Sequence, residues 1–379
     1  MKIRTDILFL LVGLAGSPAA FAAGDAVSAP KVDAFADGVN HYKNGSDRDG
    51  YARYAPEQVT EIADNILRYQ RENGGWPSNR DPLRVLTREE ITATTDERAK
   101  LDTTFDNRNT YPQIEYLAEA FARTGKVAYR DAALRGIAFL LEGQDPSGGW
   151  PHSYPDKNNY RPHITFMDDV TVGALETTRK LGLGKPPFDF LPEDLRARCA
   201  AAADRGEAAL LKLQVVVDGK PTVWAGQYDE QTLEPTTARS FELPSLVSAE
   251  SVNAVRYLMA IDPPKPEHIR AIQGAIAWYE RSAIRGLRIK RVPIDPVRYP
   301  AHTAKMDVVA VDDPAAPPVW ARFYEIDTNR PFMANRDGKK VYTLAEVQLE
   351  RRTGYGWYTG APTALLETEY PAWRARWAT

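Results

Sequence analysis

Four stretches of the chain carry polar residues where a core-facing helix would not want them. The first, Thr104–Phe121, sets Asp106, Asn107, Arg108 and Asn109 directly ahead of an amphipathic helix. Polar side chains there stand beside unpaired backbone N–H groups and the positive end of the helix dipole, a place that can hold an acidic ligand or simply cap the helix. The second, Pro155–Val170, ends in Asp168 and Asp169 at the start of another helix. Asp106 and Asp168 converging on one cleft would suit a hard cation such as Ca2+, which takes roughly six to eight oxygens, some of them from a substrate. Two separate N-caps, or the paired acids of a glycoside hydrolase, are the other readings of that pair. The third stretch, Thr236–Ser245, places Arg239 ahead of a third such helix, and the fourth, Ala321–Asp337, is dense in Arg, Asp and Asn and includes Arg322 and Arg336. An arginine fork matches a carboxylate with two hydrogen bonds, so several arginines and a divalent cation would suit a chain of acidic sugars; surface ion pairs are the plainer reading. His152 and His163 lie near the same cleft but far apart in sequence, and read as hydrogen-bonded loop residues.

These stretches need a scaffold that brings loops to one end. Apolar residues at helical spacing, Val59, Ile62, Ala63, Ile66 and Leu67, predict a helix ending near Tyr69, and it closes in Gln70-Arg-Glu-Asn-Gly-Gly-Trp76-Pro77. Helix 132–141 closes similarly in Gln144-Asp-Pro-Ser-Gly-Gly-Trp150-Pro151, and helix 206–213 in Gln214 and, after a longer turn, Trp224-Ala-Gly-Gln-Tyr228. Trp76, Trp150 and Trp224 are 74 residues apart in each case, room for two helices per repeat. Second helices are expected at 114–124, 170–181 and 248–261. Three helical hairpins around an axis make a partial α/α toroid, and Asp106 and Asp168 take equivalent places in it, with Arg239 at the corresponding place of the third unit. The tryptophans read as packing residues, with sugar stacking as the alternative. Beyond Trp278 the helical period weakens. Short strands are expected at 287–292, 308–311, 321–326 and 340–344, with a short helix at 344–350 and a terminal helix from Pro362 to Trp377. The fold class expected is therefore mainly α: a helical part over 50–285, a smaller irregular α+β lobe over 286–379, and a groove between them.

Residues 1–22 read as a secretory signal peptide, with Lys2 and Arg4, an apolar run from Ile7 to Leu14, and Ala20-Phe21-Ala22 as a cleavage site. Export to the periplasm or medium is expected, followed by a loop-like lead-in over 23–49. No later stretch approaches the roughly 20 apolar residues of a membrane span. Without the leader the formal charge of −3 becomes −4, leaving no basic excess for a nucleic-acid backbone. Cys199 is the single cysteine and reads as a small core residue in a chain expected to be monomeric. The sequence has no G-x-S-x-G elbow, no H-E-x-x-H, no Walker loop and no zinc-spaced Cys/His cluster.

Six blocks in order, NGGWPSNRD, TTFDNRNTYPQIEYLAEAF, GGWPHSYPD, RPHITFMDD, TTARSFELPSLVSAES and ARFYEIDTNRPFMANRDG, span most of the chain. In these it resembles family 10 of the polysaccharide lyases, the pectate lyases that cleave polygalacturonate. The resemblance implies a toroid-like helical lobe, an irregular second lobe and a Ca2+-assisted anti β-elimination. By position, Arg239 matches the catalytic base, while Asp106 and Asp168 match the Ca2+ and substrate-site aspartates, Asp106 counting among the catalytic groups. Arg322 and Arg336 match arginines for substrate carboxylates, and Asn107 a neighbouring substrate contact. One departure is Met167, which stands where the family pattern has Asn. An arginine base requires neighbouring cations and desolvation that disfavour the charged guanidinium, whose pKa is ordinarily above about 12. The competing expectations are a glycoside hydrolase on an α/α fold and a non-catalytic binder of acidic glycans.

Overall fold

Apolar residues three and four apart give most of the helices one buried face, and among the described residues nine α-helices precede the irregular part of the chain. They are α1 (Ala36–Asn44), α2 (Val59–Tyr69), α3 (Arg88–Asp96), α4 (Tyr111–Thr124), α5 (Val127–Glu142), α6 (Val170–Leu183), α7 (Glu193–Lys212), α8 (Ser248–Met259) and α9 (Pro266–Ser282). The computed structural model describes residues 30–44 and 50–377; the signal-peptide reading of residues 1–22 falls outside them. No helix among the described residues is long and apolar enough to cross a membrane.

Short connections fold α4 onto α5, α6 onto α7 and α8 onto α9, giving three hairpins, while α2 packs on α4. The pairing differs from a simple reading of the repeat, because each inner helix pairs most closely with the outer helix that follows it. Inner helices α4, α6 and α8 also touch in succession around the axis. The architecture is a partial α/α toroid with a smaller lobe of short strands against it.

The recurring sequence signature is the joint between units. The Trp76, Trp150 and Trp224 indoles are buried, and each Nε1 donates to the carbonyl of an earlier helix residue: Ile66 at 2.7 Å, Leu140 at 2.9 Å and Leu210 at 2.7 Å. The amides of Gln70, Gln144 and Gln214 each reach two carbonyls, one in their own turn and one in the next outer helix (Ala132, Ala202 and Ala271, all at 2.8 Å). Gly74 and Gly148 hold φ of 93° and 105°, and a Cβ on them would lie 2.4 Å from the Arg135 oxygen and 2.2 Å from the Arg205 oxygen. Only glycine combines that backbone with that approach. The tryptophans are therefore packing residues, not exposed sugar platforms.

A fourth copy is present. Trp320-Ala-Arg-Phe-Tyr324 repeats Trp224-Ala-Gly-Gln-Tyr228 bond for bond. Trp320 Nε1 donates to Tyr279 O (2.9 Å), and the Tyr324 hydroxyl accepts from Ala321 N and donates to Ser282 O, as Tyr228 does with Ala225 and Leu213. The antiparallel pair Leu287–Arg298 and Thr303–Asp312 is inserted ahead of this copy, which breaks the 74-residue spacing and hides it in the sequence.

The lobe is stitched to the helices by a four-stranded sheet in the order 340–341, 331–334, 323–324, 246–247. It also has a second apolar cluster of Met167, Phe241, Val247, Phe323, Phe332 and Trp357. Met167 points into this cluster, so the departure from the family pattern is a packing residue here. The terminal segment, residues 362–377, returns Leu365 and Trp373 to the main core. Two helices stand where the sequence predicts none. The loop-like lead-in contains α1, anchored through Phe35 and Val39, and α3, closed by a Thr87/Glu90 capping box, lies where no apolar period signals a helix.

Candidate active site

The joint that repeats also aims the site. In each unit a residue just past a threonine or valine pairs its N–H with the residue two beyond the next tryptophan: Phe105 with His152 O, Phe166 with Gly226 O and Ser248 with Arg322 O. His152 and Arg322 are thus the same structural position in two units, and both face the acids. Between this bond and the inner helix the first unit has an extended turn carrying Asp106, and the second a shorter one carrying Asp168. The third has none, and α8 starts at once. The acid reaching the site from there is Glu250, in the first turn of α8. Arg239, placed by the sequence at the equivalent position, instead sits on the preceding loop.

The turns that hold the acids are in left-handed conformations, with φ of 55° at Asn107, 53° at Arg108, 53° at Asp168 and 58° at Asp169. Such non-glycine conformations carry free energy that surrounding contacts must offset, and they cluster where side chains have to be aimed.

Asp106 Oδ2 lies 3.3 Å from His152 Nε2. Burial alone would raise its carboxyl, but His152 and Arg239 together hold it below the usual range. Asp168 goes the other way. Burial and then the negative charge of Asp106 push its carboxyl well above the usual range, with Arg322 opposing. Arg322 Nη2 stands 3.5 Å from Asp168 Oδ1 and also bonds Glu250 Oε1. Its guanidinium lies 4.5 Å from the centre of the Tyr355 ring. Glu250 Oε2 and Arg322 Nε are buried without a hydrogen-bond partner. One guanidinium, Arg322, thus serves two buried acids, Asp168 and Glu250.

Arg239 stands with a counter-charge in this structure. Its Nε and Nη2 grip Glu242 at 2.7 and 2.5 Å. Burial opposes the charge, but those bonds prevail and hold the guanidinium charged well above its usual range. The Tyr355 hydroxyl donates to the same Glu242 Oε1 at 2.8 Å, and the Tyr355 ring faces both Arg239 and Arg322. Asp106, Asp168, Arg239 and Arg322 are therefore brought into one electrostatic neighbourhood. Asn107 stands beside it with its amide donating to Asn79 Oδ1 at 2.9 Å. Arg336 is further out, about half exposed and paired with Glu350 at 2.8 and 3.0 Å. It shares the Phe241 ring with Arg239 and Arg351.

A family profile described as pectic acid lyase matches residues 70–366. The chain belongs to the pectic acid lyase family. Among solved structures it is similar to the family 10 polysaccharide lyase from Cellvibrio cellulosa, at 28% identity over 91% of this chain and 99% of that one, with a TM-score of 0.70. An aspartate-to-alanine mutant of that lyase, in complex with trigalacturonic acid, matches at 26% identity over 92% and 99% of the two chains, with a TM-score of 0.69. No match is found among curated proteins. This chain is a polysaccharide lyase enzyme.

In this lyase the residues that sequence reasoning passed over are Glu242, Glu250 and Tyr355. His152, read from the sequence as a hydrogen-bonded loop residue near the cleft, is the partner of Asp106, and its place two residues past a repeat tryptophan was the usable signal. The others act through partners distant in sequence or, for Glu242, as counter-charge to a residue already singled out. Among the described residues, a group of three potential metal ligands within 4.8 Å of one another is His163, Asp229 and Glu230, not the aspartate pair. His163 Nδ1 is 2.9 Å from Glu230 Oε2, and Asp229 Oδ1 accepts from Gln231 N and Thr232 N, so the cluster is already occupied in holding its own turn.

Proposed function

We propose that this lyase cleaves α-1,4-polygalacturonate by a Ca2+-assisted anti β-elimination, giving 4,5-unsaturated oligogalacturonides. The observation that carries the reading is the crowding of Asp168 and Glu250 against one cation, Arg322, with the negative charge of Asp106 bearing on Asp168 from the other side. Hard oxygen donors with a buried, unpartnered Glu250 Oε2 fit Ca2+. Asp106 and Asp168 would hold it, and when bound it would neutralise negative charge growing on the substrate carboxylate.

The chain's own residues supply the rest. A uronate's C5 hydrogen is α to a carboxylate, and its removal puts charge on that group. Arg322, fixed by Glu250 and Tyr355, can offer its fork to that charge as it develops. The C5–H electrons become the C4=C5 double bond, the C4–O bond breaks, and the leaving oxygen takes a proton. Arg336 and Asn107 would contact neighbouring sugars. Arg239 is the proposed base, and its chemistry requires it to leave Glu242. That exchange is supported by Tyr355, which leaves Glu242 a hydrogen-bond partner, and by the 40% exposure of the Arg239 side chain.

The trigalacturonic acid complex of the relative supports an acidic oligosaccharide as substrate. An exported enzyme acting on such polymers fits the sequence of residues 1–22. The test is ultraviolet absorbance of the conjugated product when the protein meets polygalacturonate with Ca2+, then with chelator, at alkaline pH. A rise that disappears with chelator and in Arg239→Ala supports the reading. New reducing ends without absorbance would mean hydrolysis, and binding without either product would mean a non-catalytic glycan binder.

A further inference from the structure

We infer that the ion pair Arg108–Asp169 is a positioning clip that sets the separation of Asp106 and Asp168; the inference rests on the reading of those two acids as a cation-holding pair. Arg108 Nη2 bonds Asp169 Oδ2, joining the turn before α4 to the turn before α6. These are the two left-handed turns. Asn107 and Arg108 follow Asp106 in one, and Asp168 and Asp169 form the other. In each turn neighbouring side chains leave on different sides. Asp168 faces Arg322 and the charge of Asp106, whereas Asp169 faces Arg108 and Asn253.

The clip is anchored from behind. Asp169 Oδ1 accepts from Asn253 Nδ2 at 2.8 Å, Asn253 Oδ1 accepts from Arg256 Nη1 at 3.2 Å, and Arg256 holds Glu369 at 2.6 and 2.7 Å. The Tyr111 hydroxyl donates to the Asp169 carbonyl at 3.2 Å. One polar chain therefore runs from the turn before α4, across α6 and α8, to the terminal segment, along the wall of a cavity of about 690 Å³ between the inner helices.

The physical need for it follows from like charge. Asp106 and Asp168 repel each other, and each is carried by a turn that loses strain by relaxing. An opposite-charge bond between the same two turns, on the side away from the acids, opposes both tendencies. Groups that orient ligand residues without touching the ion change metal affinity by roughly 10- to 100-fold when removed. None of the bonds of the chain reaches Asp106 or Arg239, so the pair acts through backbone placement.

The experiment is calorimetric titration of Ca2+ into the full chain, with the Ca2+ concentration for half-maximal lyase activity as a second readout and melting temperature as a control. Arg108→Met should weaken Ca2+ binding about tenfold or more, Asp169→Asn should do the same, and Arg108→Lys should recover part of the loss. Combining Arg108→Met with Asp169→Asn should weaken it no further than either alone. A merely structural pair would lower the melting temperature and leave Ca2+ affinity at the wild-type value, which overturns the clip. Asp106→Asn separates the two levels. If it abolishes Ca2+ binding while Arg108→Met does not weaken it, the clip fails and the cation reading stands. If it changes nothing, or the wild-type chain takes up no Ca2+, the cation reading fails and the clip with it. Should Arg108→Met not fold, Arg108→Lys and the near-isosteric Asp169→Asn, which can still bond Asn253, carry the same comparison.

Discussion

Arg239 and Glu242, three residues apart on one loop, are locked in a two-bond ion pair at 2.7 and 2.5 Å, with Glu242 nearly fully buried. The pair stabilises the charged guanidinium, so it works against deprotonation. If Arg239 is the base, Glu242 sets how alkaline the medium must be. Glu242→Gln removes the counter-charge, lowers the guanidinium pKa, and should move the rising limb of kcat toward lower pH. Arg239→Lys should move it the same way with a smaller kcat, since lysine ordinarily titrates near 10.4. A rising limb that stays in place in both variants would show that Arg239 serves as a fixed cation and that another group takes the proton.

The acids predict a pH dependence of stability. Asp168 is raised above its unfolded value by burial and by Asp106, and Glu250 is raised by burial, with Arg322 opposing in each case. Between the unfolded and folded values the native state binds more protons than the unfolded chain, so stability falls as pH rises through that window. Asp106 is shifted down, so its own contribution is present above its unfolded value and is lost as pH falls through the lower, folded one. In chelator, denaturant unfolding from about pH 4 upward should therefore show a decline that Asp168→Asn flattens and that Ca2+ suppresses. An Asp168→Asn profile parallel to wild type would remove Asp168 as the source.

Much of this was readable in the residues, for physical reasons. The helices of the three hairpins announce themselves because each buries a stripe at 3.6-residue spacing, and the repeat because the Gln and Trp joints need the same side chains each time. Helix α1 was hidden because two residues, Phe35 and Val39, anchor it, and α3 because Thr94 alone among its residues is buried. The fourth unit was hidden by an inserted strand pair, which moves Trp320 to 96 residues beyond Trp224. Within the site, Asp106, Asp168, Arg239 and Arg322 stood out as polar clusters beside apolar helices. Their partners did not, because Glu250 meets Arg322 from 72 residues away and Tyr355 meets Glu242 from 113. Such pairings are properties of the fold, not of any local stretch.

The joints give a stability prediction. Gln144 Nε2 donates to Gly148 O and Ala202 O, and its Oε1 accepts from Arg205 at 2.6 Å. Gln144→Leu leaves carbonyls at a partly buried junction without those donors, and should cost about 1–3 kcal/mol in urea unfolding. Gln70→Leu and Gln214→Leu should cost similar amounts, because each amide makes the same two kinds of bond. Losses near zero at all three positions would mean that Trp packing alone holds the units together.

Arg322 separates charge balance from chemistry. It lies between Asp168 and Glu250 and is itself largely buried, so Arg322→Met strands two carboxylates without a counter-charge and should destabilise the fold by about 3 kcal/mol. Glu250→Gln alone removes a negative charge that burial already disfavours and should be much milder. Adding Glu250→Gln to Arg322→Met takes away one of the stranded charges, and should return about 1–3 kcal/mol of the loss. Activity should not return with it if Arg322 is, as proposed, the fork that meets the growing substrate charge. The pair is measured by a double-mutant cycle in urea unfolding beside lyase turnover on polygalacturonate. Recovery of both quantities together would make Arg322 a structural counter-ion with no part in the elimination; recovery of stability alone keeps it at the reacting carboxylate.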